Sequence, residues 1–332
     1  MMNYLRLLCL ACLLIASNAY AFTFKIATLS PDGSVWMEKM REAAAEIETK
    51  TNQRVSFKFY PGGVMGDDNT VLKKMRFNQL NGAALTNAGL SGVDSNLQLY
   101  SLVLKFHSLD EIDYVRQKMD QKLMDGLTKK GMTALGFSEI GLTYLMSTAP
   151  IRNLADMKGQ KAWAPENNKI ALNAQKAFNV SPIPLPMRDV LMGLQTGMIN
   201  VVASSPTGAL ALQWHTKIKY VTKLPLSYIF GVLIVNQKDF AKLSKEDQAV
   251  VSQIMAKTTA DINQRSKEDN AKASDSLKAQ GIEFIDPTPE AATELRALMK
   301  DSESQLIKSG ELTGDLVKEL NQHLNDFRAK SK

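Results

Sequence analysis

Apolar and polar positions alternate along this chain with two different periods, and the switching between them predicts an α/β architecture. Residues 22–28 (FTFKIAT) alternate in period two and are rich in β-formers, which predicts a strand. Ser30-Pro31-Asp32-Gly33 breaks it. Trp36, Met40, Ala43 and Ile47 then recur at i, i+4, i+7 and i+11, one face of a helix reaching about Lys50, and on that stripe Trp36 reads as core. Residues 54–60 (RVSFKFY) alternate again and close at Pro61-Gly62-Gly63. Asp67-Asp68-Asn69 stands where an N-cap belongs, ahead of Val71, Leu72 and Met75. A calcium loop would need a later acidic ligand at EF-hand spacing, and none follows. A strand at 83–86 completes the order strand, helix, strand, helix, strand, which suits a sheet covered by helices on both faces.

The middle of the chain repeats this grammar. A helix is expected over 109–129, ending at Gly131, with separate strands at 133–138 and 142–147. After the turn-rich stretch 149–159, a strand at 160–164 is stopped by Pro165. Ile170, Ala174, Ala177 and Phe178 mark one helical face. The prolines in Pro182-Ile183-Pro184-Leu185-Pro186 disfavour helix before each of them and predict extended chain. Val190, Leu191, Leu194 and Met198 make another helical stripe, followed by a buried strand at 199–203, so a second α/β unit begins near Gly141. The apolar run 229–235 predicts a central strand. Ser244, with Asp247 three residues on, opens a helix that meets no stop before Gly281, nearly 40 residues or about 55 Å. Its first half carries Val250, Val251, Ile254, Met255 and Ile262 on one side, and its second half is charged or small. That pattern fits a helix buried on one lobe that bridges to another. A short strand at 282–285 and one polar amphipathic C-terminal helix complete the chain.

With 332 residues, 45% hydrophobic and 22% charged, the composition is that of a globular chain of about two domains. The net charge of +6 is scattered, which excludes a nucleic-acid footprint. The two cysteines, Cys9 and Cys12, both lie in a leader. Arg6 is the only charge before Lys25, residues 7–15 are apolar, and Ala19-Tyr20-Ala21 forms a cleavage site. A secretory signal cleaved after Ala21 is expected, because nine apolar residues fall short of the roughly 20 of a membrane span. The alternative is a lipoprotein signal at Cys12, against which Cys9 stands where an aliphatic residue belongs. Removal of residues 1–21 leaves 311 of the 332, without cysteine, in the periplasm.

Candidate chemistry is sparse. His107, His215 and His323 are far apart, and no H-x-x-x-H or cysteine pair offers a zinc site. No nucleophile elbow, P-loop or G-x-G-x-x-G occurs, and Ser91, Ser204 and Ser205 have no evident base. Neither a catalytic residue, a metal nor a cofactor is expected. Two α/β lobes, export and no catalytic constellation imply a clamshell that binds a solute between its lobes.

Six stretches, in order, carry a family resemblance: FKIATLSPDGSVW from Phe24, VSFKFYPGGVMGDD from Val55, PIRNLADMKGQKAWAPEN from Pro150, FNVSPIPLPMRDVLMGLQTGMINVV from Phe178, VNQKDFAKLSKEDQAVV from Val235 and LKAQGIEF from Leu277. Together they span nearly the whole chain after the leader. The sequence resembles the solute receptors of TRAP (tripartite ATP-independent periplasmic) transporters, dicarboxylate-receptor branch. The resemblance implies a two-lobed periplasmic-binding-protein clamshell of α/β class, with mixed sheets, hinge strands and a long helix spanning both lobes. It assigns 22–140 plus 229–268 to lobe I and 141–228 plus 269–332 to lobe II. It also implies a small-molecule ligand, a TRAP membrane permease as partner, with an accessory periplasmic protein as a further one, and no enzymatic activity.

The departures from the family pattern bear on the ligand. Receptors of this type usually place an arginine before the Pro-Glu-Asn turn, where this chain has Trp163, and a second where it has Thr143. The frequent aromatic of the P-x-P segment is Met187, and the usual Asp-Gly that closes the next strand is Asn200-Val201. An arginine–carboxylate pair is bidentate and charge-assisted, so its loss and the gain of an indole imply an apolar or amphipathic ligand, lipid-like or aromatic. Trp163 would wall the ligand and Met187 adapt to it, Phe230 would add a hinge-side apolar wall, and Thr143, Asn167, Ser204 and Ser205 would supply the polar contacts. Three alternatives stay open: a carboxylate receptor using a relocated cation, Arg152 or Arg188; a secreted hydrolase with a triad assembled in space; and a sensor that kept the clamshell.

Overall fold

The computed structural model describes residues 21–165 and 168–330. The expected leader, with Cys9 and Cys12, and the candidate Asn167 lie outside the described residues.

The chain opens with β1 (Phe22–Thr28), α1 (Val35–Lys50), β2 (Val55–Tyr60), α2 (Asp68–Arg76) and β3 (Gly82–Thr86). After a 3-10 turn at Ser95–Ser101 come α3 (Leu109–Lys129) and the long β4 (Met132–Ser147). The second unit holds β5 (Ala162–Pro165), α4 (Lys169–Ala177), β6 (Pro182–Leu185), α5 (Val190–Thr196), β7 (Val201–Ser204), α6 (Pro206–Ala211) and β8 (Tyr220–Thr222). Then β9 (Ser227–Asn236) runs back, followed by α7 (Gln237–Phe240), α8 (Lys245–Ala279), β10 (Glu283–Ile285), α9 (Pro289–Lys308) and α10 (Gly314–Lys330). Side-chain caps start the main helices, at Asp67 and Ser244 as expected and at Ser34 besides. Ser34 Oγ accepts from Met37 N at 3.3 Å, the Asp67 carboxylate from Thr70 N at 2.8 Å, and Ser244 Oγ from Asp247 N at 3.0 Å.

The strands follow one path, β2-β1-β3-β9-β4-β7-β5-β6, with β8 and β10 beside the end of β4. β1 is parallel to β2 and β3, whereas β9 is antiparallel to both β3 and β4, so the sheet is mixed. β4 joins the halves. It pairs with β9 from Met132↔Asn236 to Thr143↔Ser227 and then with β7 from Tyr144↔Ser204 to Ser147↔Val201. Two separate strands were expected here, with Gly141 as the break. Gly141 instead sits at a β-bulge with φ +119°, a backbone only glycine adopts readily, and the strand bends there without ending.

Separate cores lie under the two halves. Phe24, Ile26, Met40, Ile47, Val251, Ile254, Met255 and Ile262 pack in the first, and Met146, Val190, Leu194, Trp214, Val221 and Leu277 in the second. α8 takes part in both. Its 35 residues reach about 52 Å, so its apolar first half rests on the first lobe and its second half crosses to the other. The crossing point is polar: Asn270 donates to Ile140 O at 2.9 Å and accepts from Thr207 Oγ1 at 3.0 Å. A β-carbon on Gly141 would approach Asn270 Nδ2 to 2.8 Å.

Two expectations need correction. The C-terminal segment is two helices, because the chain turns at Ser309-Gly310, where Gly310 has φ +73°. The assignment of all of 269–332 to the second lobe fails for α10, whose Val317, Leu320 and Leu324 join a further hydrophobic cluster with Val115, Leu123 and Leu127 of α3, a helix of the first lobe. Arg328 of α10 fixes that return by pairing with Glu111 at 2.7 Å and 2.9 Å. Behind the hinge lies a buried polar network that hydrophobic patterning does not reveal. Arg116 donates to Tyr228 Oη at 2.8 Å, to Phe137 O at 2.8 Å and to Asp120 at 3.0 Å, and Tyr100 Oη donates to Asp120 at 2.9 Å.

Candidate functional site: the cleft between the lobes

A cavity of about 1180 Å³ separates the two lobes. Its first wall is built from the turn after β1, the start of α2 and the end of β3. Its floor is the β4–β9 hinge, and its second wall comes from β5, α4 and the start of α6. Those are strand ends and helix starts, where side chains from several elements converge on one space.

Trp163 lines this cavity, yet only 6% of it is exposed. Its Nε1 donates to Leu185 O at 2.9 Å, and its ring meets Trp214 edge-on, with centroids 5.2 Å apart and planes at 78°. Gln175 Nε2 holds its carbonyl at 2.8 Å. The indole is therefore both wall and core, with its polar edge satisfied by protein. Met187 lines the cavity and is 37% exposed.

The polar candidates are occupied to different degrees. Thr143 lines the cavity, but its Oγ1 lies 2.8 Å from Ser227 Oγ and 3.2 Å from Ser227 O, so it ties the hinge strands together. Ser205 is the N-cap of α6 and accepts from Gly208 N at 3.1 Å. Ser204 also lines the cavity. Gly208 leaves its hydroxyl room, since a β-carbon there would lie 2.7 Å from Ser204 Oγ.

Phe230 is a correction. It is fully buried among Phe137, Tyr100 and Tyr228, at ring separations of 5.1, 5.6 and 6.0 Å, and lies outside the cavity lining. Successive side chains of a strand point to opposite faces, and in β9 it is Ile229 and Gly231 that reach the cleft. Trp36 moves the other way. Read as core, it is half-buried and lines the cavity, with Nε1 donating to Ser138 Oγ at 3.2 Å.

Four cations line the cavity, and each has a partner: Arg152 reaches Asp286 O at 3.4 Å, Lys169 pairs with Glu311, Arg188 lies 3.8 Å from Asp189, and Arg265 lies 3.3 Å from Asp261. Two acids on the lining were missed by the sequence reading. Asp68 is pushed up to about 6 by burial and by the neighbouring Asp67, and its Oδ1 has no hydrogen-bond partner among the described residues. Burial also raises Glu139, and its Oε1 is unpartnered. The only sequence signal for Asp68 was the acidic doublet, which a single cap did not require. Among the described residues no hydrogen bond joins Ser91, Ser204 or Ser205 to a histidine, and no three His, Cys, Asp or Glu side chains gather to hold a metal. No described helix is long and apolar enough to cross a membrane.

Comparison with known proteins agrees with this architecture. The family described as bacterial extracellular solute-binding protein, family 7, matches residues 26–309. The sialic acid-binding periplasmic protein of Vibrio cholerae is 22% identical, over 88% of this chain and 91% of that one. The C4-dicarboxylate-binding periplasmic protein of Rhodobacter capsulatus is 24% identical, over 81% of this chain and 80% of that one. A TRAP periplasmic solute-binding protein of Haemophilus influenzae, solved with bound L-gulonate, superposes with a TM-score of 0.83 at 19% identity, covering 92% of this chain and 99% of that one. The fold is thus the two-lobed clamshell of TRAP receptors.

Proposed function

The chain belongs to bacterial extracellular solute-binding protein family 7, and on that footing we propose that it is an exported receptor that captures a largely apolar solute in the cleft and delivers it to a TRAP-type membrane permease. In this reading the leader is cleaved after Ala21, an accessory periplasmic protein is a further partner, and the chain performs no chemistry on its ligand. The observation that carries the ligand class is Trp163 on the cavity wall, packed on Trp214 and hydrogen-bonded to Leu185 O, where receptors of this type usually place an arginine. A carboxylate buried against that indole would lack its partner, at a cost of several kcal/mol. Burying about 300 Å² of apolar ligand surface instead contributes about 7 kcal/mol before the costs of association. A ligand that touches both walls binds the closed clamshell better than the open one, and this difference is what draws the lobes together.

Met187 and Ser204 keep the parts proposed for them at the cleft, whereas Thr143 acts through the hinge strands and Ser205 through the cap of α6. A second reading has one observation in its favour. Arg188 lines the cavity, its side chain is 70% exposed, and its nearest acid is 3.8 Å away, so it could turn to a carboxylate such as those bound by the relatives.

Titration with Nile red, a neutral apolar dye, separates the two. The wild type is expected to bind it in the micromolar range, and Trp163→Arg to weaken binding by about ten-fold or more, about 1.4 kcal/mol. Trp163→Phe, which keeps an aromatic wall, should stay within about three-fold of wild type. Unchanged affinity in Trp163→Arg would place Trp163 outside the site, and a gluconate or glucuronate that binds the wild type tightly would favour the Arg188 reading.

A further inference from the structure

We infer that the ligand carries an ammonium group on its apolar body, and that Asp68 on the first lobe's wall receives it. The inference rests on the receptor reading above and adds the chemistry of the ligand's polar end.

Asp68 is the first residue of α2 without being its cap, since Asp67 takes that role at Thr70 N. Its carboxylate is therefore free of the local duty that explains its neighbour. Oδ1 is buried and has no donor among the described residues. Among the described residues no cation pairs with it, and burial together with the like charge of Asp67 makes it a weaker acid than a solvated aspartate. The fold makes room for it all the same. A β-carbon on Gly89, in the turn after β3, would lie 2.0 Å from Asp68 Oδ2, so glycine at that position lets the carboxylate occupy the cavity wall.

Acceptors without donors recur around the same cavity. Glu139, 4% exposed at the hinge, has an unpartnered Oε1, and so has Gln98, 3% exposed and also on the cavity lining. On the second lobe Gln175 turns its amide nitrogen to Trp163 O and leaves Oε1 unpaired. Buried oxygens that lack a donor are costly, and a ligand that supplies donors relieves the cost as it binds. Three of the lining cations are engaged, Arg152 with Asp286 O, Lys169 with Glu311 and Arg265 with Asp261, and the fourth, Arg188, is 70% exposed and lies 3.8 Å from Asp189. An anionic ligand would add like charge beside Asp68 and Glu139. A hydroxyl would give one donor and no charge, whereas an ammonium brings three donors and the counter-charge that a desolvated carboxylate lacks.

The test is calorimetric titration of the full chain at pH 7.5 with three probes that share one body: 3-phenylpropylamine, 3-phenylpropanol and 3-phenylpropanoate. The expected order is amine, then alcohol, then carboxylate, with amine over alcohol by about ten-fold. Asp68→Asn should weaken the amine by about ten-fold and the alcohol by no more than about three-fold, and retained alcohol binding shows that the variant is folded. Gly89→Ala, which displaces the carboxylate by crowding, should reduce the amine preference as well. Equal binding of amine and alcohol overturns this inference and leaves the apolar-receptor reading standing. An amine preference that survives both variants removes Asp68 from the role. The carboxylate binding tightest, or no probe binding at about 1 mM, overturns both readings.

Discussion

Asp68 also makes a prediction about the protein without ligand. A carboxyl that stays protonated to about 6 in the folded chain, against about 3.8 when unfolded, destabilises the native state wherever it is ionised. The sign follows from proton counting. Between those two values the native state binds the proton and the unfolded state does not, so stability is greatest below about 3.8, falls as pH rises toward about 6, and is level above it. At about 1.36 kcal/mol per pH unit the full effect is about 3 kcal/mol, most of which develops between about pH 4 and pH 7.5. Asp68→Asn cannot ionise. Urea unfolding followed by tryptophan fluorescence should therefore show the variant gaining on the wild type by about 2 kcal/mol across that range. Groups common to both proteins cancel in the difference. A gap between the two that stays constant with pH would refute the reasoning, because it would mean that Asp68 is solvated or paired in the folded chain.

Two further variants probe the hinge. Arg116→Met leaves Asp120 and Tyr228 without their buried partner and should cost about 3 to 5 kcal/mol in urea unfolding; a loss under about 1 kcal/mol would show that the network adds little. Gly141→Ala forces a side chain onto a φ of +119° and against Asn270, so a loss of about 1 to 3 kcal/mol is expected, together with altered ligand affinity if the bulge sets how the lobes meet.

The parts of the fold written in periodicity were legible before the structure. The alternation of FTFKIAT, the stripe Met40, Ala43, Ile47 and the unbroken run after Ser244 became β1, α1 and α8. What failed depended on contacts distant in sequence. Gly141 looks like a turn, and only the pairing of β4 with β9 on one side and Asn270 on the other makes it a bulge. Nothing local says that α10 returns to α3, since its apolar stripe would suit either lobe. The site divides in the same way. Trp163 and Met187 were reached through departures from a family pattern. Phe230 was placed on the cleft wall, although a strand alternates and it is its neighbours Ile229 and Gly231 that reach the cavity. Trp36 packs against the first lobe's core as its stripe implies and also reaches the cleft, because a helical stripe identifies a face without saying what lies at its end. Glu139, Gln98 and Gln175 carry no sequence signature, and Asp68 only its acidic doublet, because an unpaired buried oxygen is a property of assembled neighbours.

The central claim is that this clamshell holds an apolar body where its relatives named above hold or are named for acids. The most direct measurement is to purify the protein without denaturing it, extract it with organic solvent, and identify the released molecule by mass spectrometry. The account predicts a compound with a substantial apolar or aromatic body, its polar end bearing nitrogen. Stoichiometric release of a dicarboxylate, a sugar acid or a sialic-acid-like anion would contradict it.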